Sequence, residues 1–187
     1  MEPEFAQLSV AQLPEERPAP DVEALARALS LSPDDFVGGD WAPTATSCGL
    51  PFVIAPLKSR AAVGRARVRG DAWDEVFPPG AWSREVMVCA MDAEAPDADV
   101  RARVFVPAMN VPEDPATGSA CAALGGYLSA RTPRLDGTLR WVVEQGVEMG
   151  RPSRLEVEAD KRGGRATAVR VGGSSVLVST GELRLRG

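Results

Sequence analysis

The chain has 187 residues, of which 44% are hydrophobic and 25% charged, and its 21 basic and 26 acidic side chains give a formal net charge of -5. This composition is typical of a soluble globular domain, and the acidic balance lacks the basic footprint of a nucleic-acid-binding protein. The chain contains no histidine, which excludes Ser-His-Asp and Cys-His catalysis, HExxH zinc hydrolysis and imidazole metal sites. Without histidine, Cys48, Cys89 and Cys121 cannot complete a structural zinc site.

The cysteine count and the amino-terminal sequence indicate the cellular compartment of the protein. An odd number of cysteines without a CxxC spacing argues against a disulfide framework and fits a reducing compartment. The first ten residues, MEPEFAQLSV, have neither the basic region nor the long apolar region of a signal peptide. No window reaches the roughly 18 consecutive apolar residues of a membrane span. We therefore expect a cytoplasmic protein that acts neither in a membrane nor on nucleic acid.

The first part of the chain predicts strands around one helix. Residues 5–10 alternate loosely and predict a short strand, which a proline-rich extended loop follows. Asp21 can cap a helix over 22–29, because apolar residues recur there at the spacing of an amphipathic helix. Residues 41–57 hold two apolar runs around a glycine and a proline, which predicts two strands at a corner. Residues 59–80 are helical or irregular.

The second part of the chain predicts more strands and a second helix. Residues 84–91 and 100–108 indicate strands, and in the latter the valines alternate with arginines. Residues 110–131 form a loop that leads into a helix of small, apolar residues, which predicts burial on every side. The tail, 138–187, predicts four short strands, TLRWVVEQG, SRLEVEAD, TAVRVGG and SVLVSTGELRL. We therefore expect an α+β fold with many strands around one buried helix.

The loop EDPATGSA at the start of this helix carries the clearest functional signal. Asp114 or Thr117 can act as its N-cap. The backbone N–H groups of Gly118, Ser119 and Ala120 would then point outward at the positive end of the helix dipole. Such a site suits a carboxylate or an enolate, with which Asp114 can exchange a proton while Thr117 and Ser119 orient it. The alternative is a well-capped helix without a ligand, and the loop lacks the spaced glycines and the lysine of a phosphate-binding loop.

The chain resembles the carboxy-terminal half of the PhzF-like proteins, the phenazine-biosynthesis family related to diaminopimelate epimerase. The resemblance is carried by RVFVPAMNVPEDPATGSACAALGGYL, WVVEQGVEMGRPSRLEVEAD and AVRVGGSSVLVSTGELRL, and it extends upstream through SCGLPFVIAPL to the start of the chain. It implies a fold of two similar halves with the active site between them. Residues 1–187 would be one such half, a single domain in which a mostly antiparallel sheet curls into a barrel around a central helix.

The resemblance also implies an activity, the isomerisation or epimerisation of a small carboxylate by proton transfer at carbon without a cofactor or a metal. In this family a glutamate from the amino-terminal half removes the proton, and the EDPATGSA loop helps to return it. Asp114 matches the acid/base group of that loop and Ser119 its catalytic hydroxyl. Gly118 and Ser119 match its backbone donors, and with Thr117 and Ala120 they form the expected substrate-binding set.

This sequence departs from the family in length, since it begins where the second half of the family members begins. The glutamate base and the histidine motif of the other half have no counterpart here, so the chain is expected to be inactive alone. It would need a complementary amino-terminal half, which is either supplied by a separate chain or lost, or it would dimerise through the exposed surface. The alternative function is a non-catalytic domain that binds a small anion and forms a homodimer. A two-cysteine racemase is disfavoured, because Cys121 lies beyond the loop.

Three other features have plainer interpretations. The segment Cys48–Pro51 can line the cleft, although a simple turn is an adequate explanation. Cys89 and Cys121 are flanked by small apolar residues and are interpreted as buried hydrophobic side chains. The motifs EQG and GRPS are interpreted as a strand end and a tight turn, that is, as structural elements.

Overall fold

The structure, a computed structural model, describes residues 4–182 and residue 184. Within this part of the chain it contains ten strands and four α-helices, and none of these helices is long and apolar enough to cross a membrane. In chain order the elements are β1 (Glu4–Ser9), β2 (Glu15–Pro18), α1 (Val22–Leu29), β3 (Thr44–Ser47), β4 (Pro51–Pro56), α2 (Arg60–Arg65), α3 (Gly70–Val76), β5 (Val86–Ala90), β6 (Val100–Val106), β7 (Val111–Asp114), α4 (Gly118–Arg131), β8 (Gly137–Gln145), β9 (Ser153–Arg162) and β10 (Arg165–Ser175).

The strands form one sheet in the order β1-β10-β9-β8-β6-β5-β4-β3-β2, and β7 pairs with β6 beside this path. Only the β4–β5 and β6–β8 pairs are parallel, and the other pairs are antiparallel. The sheet curls around α4, because that helix packs against β3 and β4 near one end of the strand order and against β8, β9 and β10 near the other. The prediction of a mostly antiparallel sheet curled around a central helix in an α+β fold is confirmed.

Helix α4 can occupy the centre because its residues are small. Ten of its fourteen residues are buried, as predicted from its uniformly apolar sequence. A methyl group on Gly125 would lie 2.6 Å from Val157 Cγ1, and one on Gly126 would lie 2.7 Å from Pro14 Cβ. Both distances are below van der Waals contact, so these two glycines allow β9 and the loop after β1 to approach the helix.

A second layer of helices covers the other face of the sheet. Strand β5 is buried on both faces, since Val86 and Val88 pack toward the layer of α1, α2 and α3 while Met87 packs toward α4. This double burial explains its continuous apolar sequence. Asp21 caps α1 as predicted, its carboxylate accepting a hydrogen bond from the backbone N–H of Ala24 at 2.7 Å.

Several local expectations were wrong. The segment 15–18, expected to lie in a loop, forms the short edge strand β2, and part of the loop before α4 forms β7. The predicted fourth tail strand, SVLVSTGELRL, contributes only its first residue, Ser175, to β10. The described residues after it have no regular structure, and residues 183 and 185–187 lie outside the described part. A strand needs a partner for its backbone groups, and within residues 4–182 the pairing of β10 with β1 ends at Ser175.

Candidate functional site

The amino terminus of α4 is open to solvent. Thr117 is the N-cap, and the first helical hydrogen bond runs from Cys121 N to Thr117 O at 3.0 Å. Among the described residues the backbone N–H groups of Gly118, Ser119 and Ala120 have no acceptor. Gly118 and Ser119 are exposed, whereas Ala120 is buried. The helix therefore presents unpaired donors at its positive end, the arrangement that favours an anion.

A cavity of about 410 Å³ lies over this helix terminus. Its wall consists of the end of β1 and the residues that follow it, together with Cys48, Gly118, Ser119, Ala122 and Val171. The cavity therefore combines a mostly apolar wall with backbone donors, the combination that is typical of small-molecule sites.

The segment Cys48–Pro51 connects β3 to β4, which agrees with its interpretation as a simple turn, and of its residues Cys48 lines the cavity. Its thiol donates to Ala122 O at 3.4 Å, and burial raises the pKa of Cys48 to about 11. Burial likewise raises the pKa of Cys89 to about 12 and that of Cys121 above its ordinary value. All three thiols are therefore protonated at neutral pH, which suits packing rather than nucleophilic chemistry.

Asp114 ends β7, three residues before the N-cap Thr117, and it is not one of the residues that line the cavity. Its Oδ2 accepts a hydrogen bond from the hydroxyl of Thr117 at 2.6 Å. Its Oδ1 has no hydrogen-bond partner among the described residues. Thr117 is buried, and both its hydroxyl and its backbone N–H are engaged within the protein. The structure thus places Gly118 and Ser119 at the cavity, whereas Asp114 and Thr117 do not line it and bond each other.

Sequence reasoning missed Gln145, which holds this loop. Gln145 is fully buried at the end of β8. Its Oε1 accepts from Thr117 N at 3.2 Å, and its Nε2 donates to Asp114 O at 2.6 Å and to Thr117 Oγ1 at 3.0 Å. The next residue, Gly146, has a φ of 77°. It approaches Pro115 so closely that a methyl group on Gly146 would lie 2.7 Å from the carbonyl oxygen of Pro115. A polar amide at the end of a buried strand was the signal in the sequence.

The other acid of the loop, Glu113, forms an ion pair within the protein. Arg103 is buried and donates from Nε and Nη2 to the two oxygens of Glu113, both at 2.8 Å. Its Nη1 donates to Val63 O and Ala66 O at the end of α2. This bidentate, charge-assisted pair fixes the loop to the helical layer. Asp114 is therefore the acid of the loop that retains a free oxygen.

A second buried arginine, Arg101, lies on the same strand. It bonds Glu144, the first residue of the EQG motif, and Glu148, two residues after that motif. Although burial raises the pKa of Glu144, hydrogen bonds from Ala95 N–H and from Arg101 hold it below its ordinary value. All seven residues of β6 are buried, the two arginines included. Glu144 and Glu148 compensate the charge of Arg101, as Glu113 compensates that of Arg103.

Among the described residues, no group of three or more histidine, cysteine, aspartate or glutamate side chains is arranged to hold a metal ion. The helix terminus itself offers backbone donors and the hydroxyl of Ser119, and the carboxyl group of Asp114 belongs to the loop before it.

Comparison with known proteins identifies the family. The family model described as phenazine biosynthesis-like protein (PhzC-PhzF) matches residues 7–181. The chain therefore belongs to this family, which confirms the resemblance seen in the sequence, and the match covers nearly the whole chain.

The curated relatives are longer than the chain. An uncharacterized isomerase of Mesorhizobium japonicum is 35% identical over 183 residues, which are 96% of this chain and 60% of the relative. One of Deinococcus radiodurans is 40% identical over 84% of this chain and 50% of the relative. The trans-2,3-dihydro-3-hydroxyanthranilate isomerase of Pseudomonas aeruginosa is 41% identical over 46% of this chain and 30% of that enzyme. The chain thus spans at most about 60% of the length of these relatives.

Solved structures show the same fold. A PhzF-family protein of Bacillus anthracis superposes with a TM-score of 0.80 at 19% identity, over 92% of this chain and 61% of that one. A predicted epimerase of Pseudomonas aeruginosa superposes with a TM-score of 0.66 at 28% identity, over 94% of this chain and 59% of that one.

Proposed function

We propose that this chain is the part of a PhzF-like isomerase or epimerase that returns a proton to a carbon atom of a small carboxylate substrate, without a cofactor. The observation that supports this most is the open amino terminus of α4. There the free N–H groups of Gly118 and Ser119 lie at a cavity. Asp114 is hydrogen-bonded to Thr117, the residue before Gly118, and its Oδ1 has no partner in the part of the chain that is described.

The proposed chemistry follows from the charges that develop in the reaction. Removing a proton from carbon leaves its electron pair in an enolate, whose negative charge the amides of Gly118 and Ser119 would stabilise. Asp114 in its acid form then gives its proton to carbon, and the enolate electron pair forms the new C–H bond. Return to a different carbon isomerises the substrate, and return to the opposite face epimerises it. Ser119 orients the substrate through its hydroxyl.

A second group must remove the first proton, and we propose that a complementary amino-terminal lobe supplies it. The apolar side chains that are exposed on β1, on the loop after it and on the segment after β10 support such a lobe. They are Phe5, Leu8, Leu13, Val176, Leu177 and Val178. Exposed apolar side chains near one sheet edge favour an interaction surface, and among the described residues β1 leaves that edge of the sheet unpaired. The relatives contain the additional length that could cover this face.

The second candidate function is a non-catalytic domain that binds a small anion and dimerises through the same face. The observation that favours it is that the donors and the cavity lie within this chain, so that an anion could bind without the second lobe. The two functions differ in what covers the face, a different lobe or a second copy.

Solvent deuterium exchange tests the proposal. The probe is trans-2,3-dihydro-3-hydroxyanthranilate, the compound in the name of the Pseudomonas relatives. We expect the chain alone to incorporate no deuterium into this probe above background, and the chain mixed with the amino-terminal lobe of the Mesorhizobium relative to do so. Asp114→Asn should then lower the rate about 100-fold, the lower end of general acid/base effects. Asp97→Asn, which makes the same change at an exposed acid outside the site, should leave it unchanged.

Two results would contradict this proposal. Exchange by the chain alone that Asp114→Asn abolishes would show that a base within this chain suffices. The second result is a stable homodimer in light scattering that binds oxalate but incorporates no deuterium into the probe when any lobe is added. This result would favour the anion-binding domain.

A further inference from the structure

The side-chain amide of Gln145 has only one favourable orientation. Its Oε1 faces the backbone N–H of Thr117 at 3.2 Å, which can only donate. Its Nε2 faces the backbone carbonyl of Asp114 at 2.6 Å, which can only accept. Exchanging the oxygen and the nitrogen would place donor against donor and acceptor against acceptor. Because Gln145 is fully buried, bulk water cannot replace either bond.

This orientation determines the direction of the Thr117 hydroxyl. Nε2 of Gln145 also lies 3.0 Å from Thr117 Oγ1, and an amide NH2 group can only donate to that oxygen. The single proton of the hydroxyl is thereby left for Asp114 Oδ2, 2.6 Å away. Hydrogen bonds run in one direction, from Gln145 through Thr117 to Asp114, and both donor side chains are buried.

We propose that Gln145 and Thr117 are positioning residues that determine which oxygen of Asp114 exchanges a proton with the substrate, an inference that rests on the proton transfer proposed above. Because Oδ2 accepts from Thr117, a proton taken up by Asp114 resides on Oδ1. In the return step the Oδ1–H bond breaks, the enolate electron pair forms the C–H bond, and Asp114 is left as a carboxylate. The hydroxyl bond to Oδ2 stabilises that charge where it forms.

Three substitutions separate the parts of this arrangement. Thr117→Val removes the hydroxyl and keeps the branched shape, whereas Thr117→Ser keeps the hydroxyl. Gln145→Glu keeps the shape but replaces the donor by an acceptor, which draws the hydroxyl proton away from Asp114. In the exchange assay with the added lobe, we expect Thr117→Val and Gln145→Glu to lower kcat roughly 10-fold to 100-fold, the range for a hydrogen bond to a charged group. KM should change little, and Thr117→Ser should retain most of the native rate.

A double-mutant cycle distinguishes positioning from a purely structural role. If Thr117 acts through the carboxylate of Asp114, Thr117→Val should have no further effect on the rate in the Asp114→Asn background. The matched control is Thr138→Val, which removes a hydroxyl that donates to Asp160 Oδ1 at the same 2.6 Å. It should lower stability by a comparable amount and leave the exchange rate unchanged. Equal slowing by Thr117→Val in both backgrounds, or equal slowing by Thr138→Val, would overturn the proposal.

Neutron diffraction from the deuterated full chain supplies a readout that needs no activity. We expect the hydroxyl deuterium of Thr117 to point at Asp114 Oδ2, with both amide deuterons on Gln145 Nε2. A deuterium directed at Gln145 would overturn the positioning arrangement alone. A deuterium in the expected place, combined with no exchange by any reconstituted form, would overturn the proton transfer by Asp114 and with it the selection of Oδ1.

Discussion

Replacing Gly146 with alanine tests whether the end of β8 holds the loop before α4. The change introduces a methyl carbon 2.7 Å from Pro115 O and 3.1 Å from Pro115 Cβ, and closer still to Arg151 O. It also places an alanine at a φ of 77°, which costs about 1 kcal/mol in the left-handed region. The overlap with backbone adds about 1 to 3 kcal/mol. We therefore expect Gly146→Ala to lower the free energy of unfolding by about 3 kcal/mol.

Gly150→Ala is the matched control for this prediction. Gly150 has a similar φ of 68°, but a methyl group there would contact nothing within 4 Å. Gly150→Ala should therefore lower the free energy of unfolding only by the cost of the left-handed conformation, about 1 kcal/mol. Urea denaturation followed by circular dichroism measures both free energies, provided that the m-value is unchanged. Amide NMR resonances of Gly118 and Ser119 should shift in Gly146→Ala only. Equal losses for the two variants would refute the claim that Gly146 is required by its contact with Pro115.

Two further predictions concern the anion and acid stability. Titrating the chain with oxalate should shift the amide resonances of Gly118 and Ser119 before others, with an affinity that falls as salt rises, and an unselective response would contradict the helix-terminus site. The guanidinium of Arg170 and the hydroxyl of Thr138 hold the pKa of Asp160 at about 2. Because this folded pKa lies below the unfolded value, the stabilisation is present above about pH 5 and is lost as pH falls toward 2. After allowance for the partial exposure of Asp160 it amounts to about 1 kcal/mol, and Asp160→Asn should flatten this part of the acid-unfolding profile.

The sequence predicts an element well where local chemistry decides it. Helix α1 follows from the cap at Asp21 and the apolar spacing after it, and α4 follows from its uniformly small residues. Strands are different, because pairing decides them. The segment after Ser175 begins with three apolar residues but has no partner among the described residues, whereas β2 forms from a proline-rich segment because β3 pairs with it.

The charged residues of β6 show a second limit of sequence reasoning. Arg101 and Arg103 alternate with valines, and alternation alone places such side chains in solvent. Arg101 instead meets Glu144, 43 residues later, and Arg103 meets the carbonyl groups at the end of α2, about 40 residues earlier. Partners so distant in sequence are brought together only by the tertiary fold.

Distance along the sequence also explains why only half of the candidate site could be predicted. The free donors at Gly118 and Ser119 belong to one loop and one helix, so the motif indicates them directly. Gln145 lies 28 residues after Thr117, and it reaches the loop because β6 pairs with both neighbours. Ala102 is opposite Gln145, and Val104 is opposite Asp114. The register of two strand pairs thus builds the support of the loop, and no single segment of the sequence contains that information.

Side chains satisfy backbone groups at the carboxyl end of α4 but not at its amino end, and this difference supports a ligand at the amino end. At the carboxyl end the buried ammonium group of Lys161 donates to Ser129 O at 2.7 Å and to Thr132 O at 2.8 Å. A buried lysine is costly unless it is paired, and here it satisfies carbonyl groups at the negative end of the dipole. At the other end, the side chains of Thr117 and Asp114 bond each other instead of the free amides. Thr117 occupies the N-cap position but makes no side-chain hydrogen bond to these amides, a bond that would stabilise a helix needed only as a core element. Leaving those donors free beside a cavity is the arrangement expected where an anionic substrate completes the cap.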